Sequence, residues 1–174
     1  MAQAQARDLP SGSEENIVPE KIREGVDLLI NGERFRHTGD PKMPLLWYLR
    51  DVLRLTGTKY GGEHSGADLV LVDGKAVPAL GQTVASLAGK RITTVEGMAA
   101  TDGTLHPLQQ AFVDEDAIGC GYCTPGWLIA ALDLLGRKPH PTDDDIDQLP
   151  VLCRCGCQTR VRRAIKRAAN GGKS

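Results

Sequence analysis

The sequence predicts an α+β fold in which a small mixed sheet grips one helix and a helical bundle follows. Three observations carry this. Two β-type runs flank Asn31-Gly32 and two more flank Asp73-Gly74, the strongest two-residue hairpin signals a sequence offers. Between the hairpins the apolar period is helical, and beyond residue 98 it stays helical almost throughout. All five cysteines, Cys120, Cys123, Cys153, Cys155 and Cys157, fall in that second part, which sets its chemistry apart from the first.

Residues 1–24 are polar, with Pro, Ser, Gly and Glu, and read as a mobile tail or an arm that orders on a partner. From Val26, VDLLI, Asn31-Gly32 and ERFRH give the first hairpin. In MPLLWYLRDVLRL the positions Leu45, Leu46, Leu49, Val52 and Leu53 recur at threes and fours, predicting a helix that packs on the hairpin and that Gly57 ends. DLVLV, Asp73-Gly74 and KAVPAL give the second hairpin, and the β-branched RITTVEG a further strand. Residues 25–97 thus form an α+β unit.

Residues 98–174 form the second unit, a bundle of four helices without an internal repeat. HPLQQAFVDEDA predicts a helix begun at Pro107. TPGWLIAALDLLG predicts one with Thr124 as N-cap, Pro125 first in the helix and Gly136 beyond its end. Asp143 to Leu149 adds a short helix capped by Thr142, and QTRVRRAIKRAA supplies the last.

Bulk composition narrows the function. Hydrophobic content of 41% with 25% charged residues fits a chain with a packed core. A formal net charge of −1 gives no global electrostatic case for nucleic acid or an anionic membrane. No window approaches the roughly 20 apolar residues of a membrane span, so no membrane insertion is expected. The N-terminus has no apolar segment of the signal-peptide type. Cytoplasm is the default expectation, with a periplasmic location reachable by co-export with a partner.

Cys120 and Cys123 stand as CGYC before one helix start, and Cys153 and Cys155 as CRC before another. Four thiolates in two close pairs, each on a loop running into a helix, can converge on one metal centre. The helix starts near Thr124 and Gln158 then aim free N–H groups and partial positive charge at an anionic centre. Zinc and a two-iron, two-sulfur cluster both answer this ligand set; the single residue between the cysteines of CRC favours the cluster, since zinc knuckles use two to four. Cys157 is left over and reads as a small half-buried residue at the first turn of the last helix. Two readings from other classes stand beside electron transfer. One is a structural subunit holding zinc or no metal; the other is a regulatory module whose basic helix, Arg160 to Arg167, contacts acidic protein or nucleic acid.

The segments PLLWYLRDVLRLTGTKYG, LVLVDGKAV, ITTVEG, LHPLQQAFVDEDAIGCGYCTPG and LCRCG with a following basic helix occur in this order over residues 26–168. In this they resemble the small iron–sulfur subunit of the molybdenum hydroxylases, the family of xanthine dehydrogenase, aldehyde oxidoreductases and isoquinoline oxidoreductase. The resemblance implies a ferredoxin-like (β-grasp) domain and a four-helix domain, each normally holding one two-iron cluster. It implies that Cys120, Cys123, Cys153 and Cys155 ligate the C-terminal 2Fe-2S cluster, next to molybdopterin in a large partner subunit. Electrons taken from an aldehyde or nitrogen heterocycle at molybdenum would leave through this cluster.

The N-terminal site departs from the family. After TKYG the family carries cysteines, whose positions here hold Gly61 or a one-residue deletion, then Ser65, Asp68 and, past the DG turn, Leu80. A hydroxyl, a carboxylate and a leucine cannot hold such a cluster, so one cluster is expected rather than two. Glu63, His64 and Asp68 would be the donors for any replacement ion. Gly119 replaces a glutamine common in the family, and the linker before LCRCG is a few residues short. With the outer cluster absent, a cytochrome c-type haem protein could approach the remaining one directly, in place of the flavin subunit that usually follows.

Overall fold

Asn31 and Gly32 take φ values of 52° and 85°, and Asp73 and Gly74 take 49° and 84°, the consecutive left-handed residues of a type I′ turn. These turns join β1 (Val26–Ile30) to β2 (Glu33–His37), and β3 (Leu69–Val72) to β4 (Lys75–Pro78), in antiparallel pairs. β5 (Arg91–Thr93) lies between them, parallel to β1 and antiparallel to β3, which gives the order β2-β1-β5-β3-β4. The structure is a computed structural model and describes residues 25–62 and 64–171. The polar arm expected over residues 1–24 lies outside the described residues.

The helix expected over MPLLWYLRDVLRL is shorter and wider than its apolar period suggests. α1 (Leu45–Trp47) passes into a π-helical turn over Tyr48–Val52, where the Leu53 N–H reaches Tyr48 O at 3.0 Å. Arg54, at φ 61°, ends the helix ahead of Gly57. Arg50 accounts for the difference: its Nη1 donates to Thr56 O at 2.8 Å and Thr58 O at 2.7 Å. The following loop is thereby drawn back over the helix end, and a widened turn accommodates it.

β3 divides the interior because its side chains alternate and both faces are covered. Val70 faces a core with Leu28, Ile30, Leu45, Leu46, Leu49 and Ile92. Leu69 and Leu71 face the opposite way, into a core with Phe112, Trp127, Ile129, Leu134 and Ile165. The second core is built by α2 (Pro107–Asp114), α3 (Thr124–Arg137), α4 (Asp143–Asp147) and α5 (Gln158–Ala169). No helix among the described residues is long and apolar enough to cross a membrane.

Helix boundaries correct the sequence reading in two places. Cys123, not Thr124, is the N-cap of α3, and Gly136 lies inside that helix, with Lys138 at its C-cap. A cysteine side chain is a poor cap, so only the backbone shows the boundary; one exposed glycine costs a helix about 1 kcal/mol, which tertiary packing overrides. α4 stops at Asp147 rather than Leu149, although Thr142 caps it as expected.

The basic face of α5 does not await an acidic partner. Arg162 bonds Asp147 at 2.6 Å, Arg163 bonds Glu115 at 3.0 Å and Lys166 bonds Asp143 at 2.6 Å. Arg167 pairs with Asp114 and Glu115, both at 3.2 Å, and Arg160 pairs with Asp116. Each cation from Arg160 to Arg167 is thus matched by a carboxylate of α2, α4 or the turn after α2. The reading of this helix as a regulatory surface is corrected: the charges were counted along one helix, and their partners stand on others.

Candidate metal centre

The CGYC loop ends in the N-cap of α3, Cys123, and the CRCGC loop ends in the N-cap of α5, Cys157. Both helix starts therefore turn toward the cysteine loops, with their unpaired N–H groups. Cys120 and Cys155 are exposed, Cys123 and Cys153 half-buried, and Cys157 buried. The four outer thiols stand in two pairs, each taking one thiol from each loop: Cys120 lies beside Cys155, and Cys123 beside Cys153, near enough to shift one another's protonation. Nowhere among the described residues do three or more His, Cys, Asp or Glu donors close on one point. Two thiol pairs drawn from two loops, near enough that charge on one is felt at the other, are a donor set that would fit a two-iron cluster.

Within each pair one thiol is held below the ordinary range and its partner above it. The Tyr122 N–H, and then the Cys155 thiol, lower Cys120. Cys155 is raised on balance: the Cys120 N–H pulls it down, but the Cys120 thiol and burial outweigh that. Burial raises Cys123, reinforced by the Cys153 thiol. Burial also pushes Cys153 up, but the N–H groups of Cys157 and Cys155 with the Cys123 thiol outweigh it and bring it down.

Cys157, left over in the sequence, proves part of this wall. It is 2% exposed, donates its N–H to Cys153 Sγ at 3.4 Å and accepts from Arg160 Nη2 at 3.3 Å. Gly119 closes the other side: a Cβ there would stand 2.9 Å from Cys155 Cβ and 3.0 Å from Cys157 Sγ. A glutamine at this position would have to displace both. Sequence reasoning placed Arg160 only on the basic face of the last helix and missed its contact with Cys157, although its place three residues on puts it on the same helix face.

The N-terminal ligand positions remain adjacent without their thiols. A Cβ on Gly61 would run into Ser65 Oγ, and the Asp68 carboxylate accepts the Leu80 N–H at 3.1 Å. Asp68 is 5% exposed, and Ser65 Oγ is engaged by the Ala67 N–H at 3.2 Å. A replacement ion would thus find Asp68 already engaged and His64 exposed; Glu63 lies outside the described residues. The same loop touches both cysteine loops. Tyr122 of CGYC donates its hydroxyl to Tyr60 O, and the Leu152 N–H, beside Cys153, bonds Ser65 O at 3.0 Å.

Comparison with known proteins agrees with this geometry. Residues 94–166 match the family described as 2Fe-2S binding domain. The chain is 43% identical to one of the subunits of nicotinate dehydrogenase from Pseudomonas putida, over 83% of this chain and 94% of that protein. It is 37% identical to the alpha subunit of isoquinoline 1-oxidoreductase from Brevundimonas diminuta, over 83% and 97%. Quinoline 2-oxidoreductase from Pseudomonas putida 86 superposes with a TM-score of 0.75 at 31% identity, covering 86% of this chain and 98% of that one. The aldehyde oxidoreductase of Desulfovibrio desulfuricans superposes with a TM-score of 0.80 at 34% identity, 87% of this chain matching 18% of that longer one. Thiols paired across two helix starts, on a scaffold shared along most of the chain, lead to one conclusion: the chain belongs to the small iron–sulfur subunits of the molybdenum hydroxylases.

Proposed function

We propose that Cys120, Cys123, Cys153 and Cys155 ligate one 2Fe-2S cluster and that this cluster is the chain's single redox centre. The observation that carries this is the pairing of the four thiols, one from each loop in each pair. The chain is an electron-transfer subunit, and the active site with its molybdopterin lies on a large partner chain. The relatives' names point to substrates among aldehydes and nitrogen heterocycles. When bound, the cluster takes up and passes on one electron at a time.

The chain's own residues orient and shield. Gly119 and Cys157 fill the space behind Cys153 and Cys155. The Cys157 N–H points at Cys153 Sγ, and the N–H groups of Tyr122 and Cys155 add to the stabilisation of thiolate charge at Cys120 and Cys153. Iron, acid-labile sulfide and zinc analysis on the complex purified without air, with an electron paramagnetic resonance spectrum after dithionite reduction, tests the assignment. Two irons and two sulfides per chain with one rhombic signal are expected. Four irons would restore the N-terminal site, and zinc or no metal would remove the relay.

With Asp68 and Leu80 in place of thiolates at the outer position, we infer that an acceptor, such as a haem protein in place of a flavin subunit, meets the remaining centre directly. Stopped-flow mixing of the reduced complex with cytochrome c and with flavin acceptors separates the two. Faster oxidation by the flavin acceptors would overturn the haem assignment.

A further inference from the structure

Arg160 stands in the first turn of α5 and turns back toward the cysteine loops rather than outward. Its Nη2 lies 3.3 Å from Cys157 Sγ, and its Nη1 pairs with Asp116. Cys157 in turn touches Cys153 through its N–H, at 3.4 Å. Its sulfur flanks the Cβ position of Gly119 together with Cys155 Sγ, at 3.0 and 3.1 Å. One buried thiol therefore separates a guanidinium from two of the four ligand sulfurs.

Reduction adds negative charge to a centre, so a nearby cation favours the reduced state and raises the potential. Screening decides how much of that effect survives. The Arg160 side chain is 36% exposed, whereas Asp116 is 81% exposed, so the opposing carboxylate is the more strongly screened of the two. Glu115 and Asp114 are occupied by Arg163 and Arg167, which leaves Asp116 as the carboxylate paired with Arg160. We propose that Arg160, positioned by the Cys157 thiol, raises the reduction potential of the centre held by Cys120, Cys123, Cys153 and Cys155. This rests on the cluster assignment above.

The test is a potentiometric titration of the whole complex followed by electron paramagnetic resonance, with iron and sulfide measured on each variant. R160Q is expected to shift the midpoint to lower potential, R160K to restore most of it, and D116N to shift it upward. C157A, which removes the sulfur that holds the guanidinium, moves it in the R160Q direction by less. An R160Q midpoint equal to wild type overturns the proposal, as does an R160K shift as large as that of R160Q. Should R160Q fail to assemble, D116N and C157A decide, and unmoved midpoints in both overturn it. Absence of the rhombic signal in the wild-type complex would instead strike the cluster assignment.

Discussion

At the scale of single residues, Asp68 shows how a lost metal ligand can remain structural. Its carboxylate is buried and takes the Leu80 N–H, so an interaction between two former ligand positions now closes the loop. Removing it strands a backbone donor, which costs about 1–3 kcal/mol. D68A should therefore lower the unfolding free energy by roughly that amount in urea titrations, while D68N, which keeps an acceptor oxygen, loses less. Equal midpoints for D68A and wild type would show that the contact carries no stability. The sequence marks Asp68 as a place where a thiolate is missing, but its partner lies 12 residues away across a hairpin, beyond any local pattern. The four cysteines proposed as ligands stand out in the sequence because paired spacing before helix starts is a local signal. Gly119 and Cys157 were not, because their roles depend on two loops meeting.

At the scale of elements, α2 carries a titratable cap. His106 Nδ1 accepts the Leu108 N–H at 3.2 Å while Gln109 Oε1 takes the His106 N–H at 2.9 Å. The ring must be neutral at Nδ1 to do this, and burial pushes its pKa below the ordinary 6.5. Between that lowered value and 6.5 the unfolded chain binds more protons than the folded one, so stability rises with pH across this window. The contribution is complete above the unfolded value and is lost as pH falls through the folded one. Urea titrations at pH 7.5 and 5 should show a larger loss in wild type than in H106N, whose amide caps without titrating; equal losses would remove the histidine from the account. H106A should cost about 0.5–2 kcal/mol at the higher pH. Sequence reading placed this helix start correctly at Pro107 but passed over the histidine, which is not among the usual caps. It also read both hairpins from their turn dipeptides, yet missed the widened turn after α1, which depends on Arg50 reaching carbonyls several residues on.

The ion pairs of α5 belong to the same scale and contribute less than their number suggests. Arg162 and Asp147 are 37% and 44% exposed, and pairs of that kind yield about 0–1 kcal/mol each. R162Q should lower the urea midpoint only slightly, with the difference from wild type shrinking as salt screens both. A loss well above that range, unaffected by salt, would mean that Arg162 acts through packing of its stem rather than through charge.

At the scale of the whole molecule, the question is why a chain keeps a ferredoxin-like unit whose own cluster ligands are gone. The contacts give a physical answer: the vacated loop is the floor on which the remaining cysteine loops stand. Tyr60 O receives the Tyr122 hydroxyl and Ser65 O receives the Leu152 N–H, one tie to each cysteine loop. Just past Ser65 the loop meets its neighbours backbone to backbone, so closely that a Cβ on Gly126 of α3 would overlap the Gly66 carbonyl and one on Gly66 would overlap that of Pro150. Neither neighbour is the end of a flexible side chain, so a methyl group must push the loop and helix apart. G126A should therefore destabilise by about 1–3 kcal/mol and should also lower iron and sulfide per chain in the assembled complex, although it changes no sulfur. D68A supplies the control, since it removes the loop's bond to the Leu80 N–H and adds no atom to the contact with α3. If G126A loses stability yet keeps its full iron content, the loop is only a packing surface, and the retained unit must be explained by its contacts with other chains.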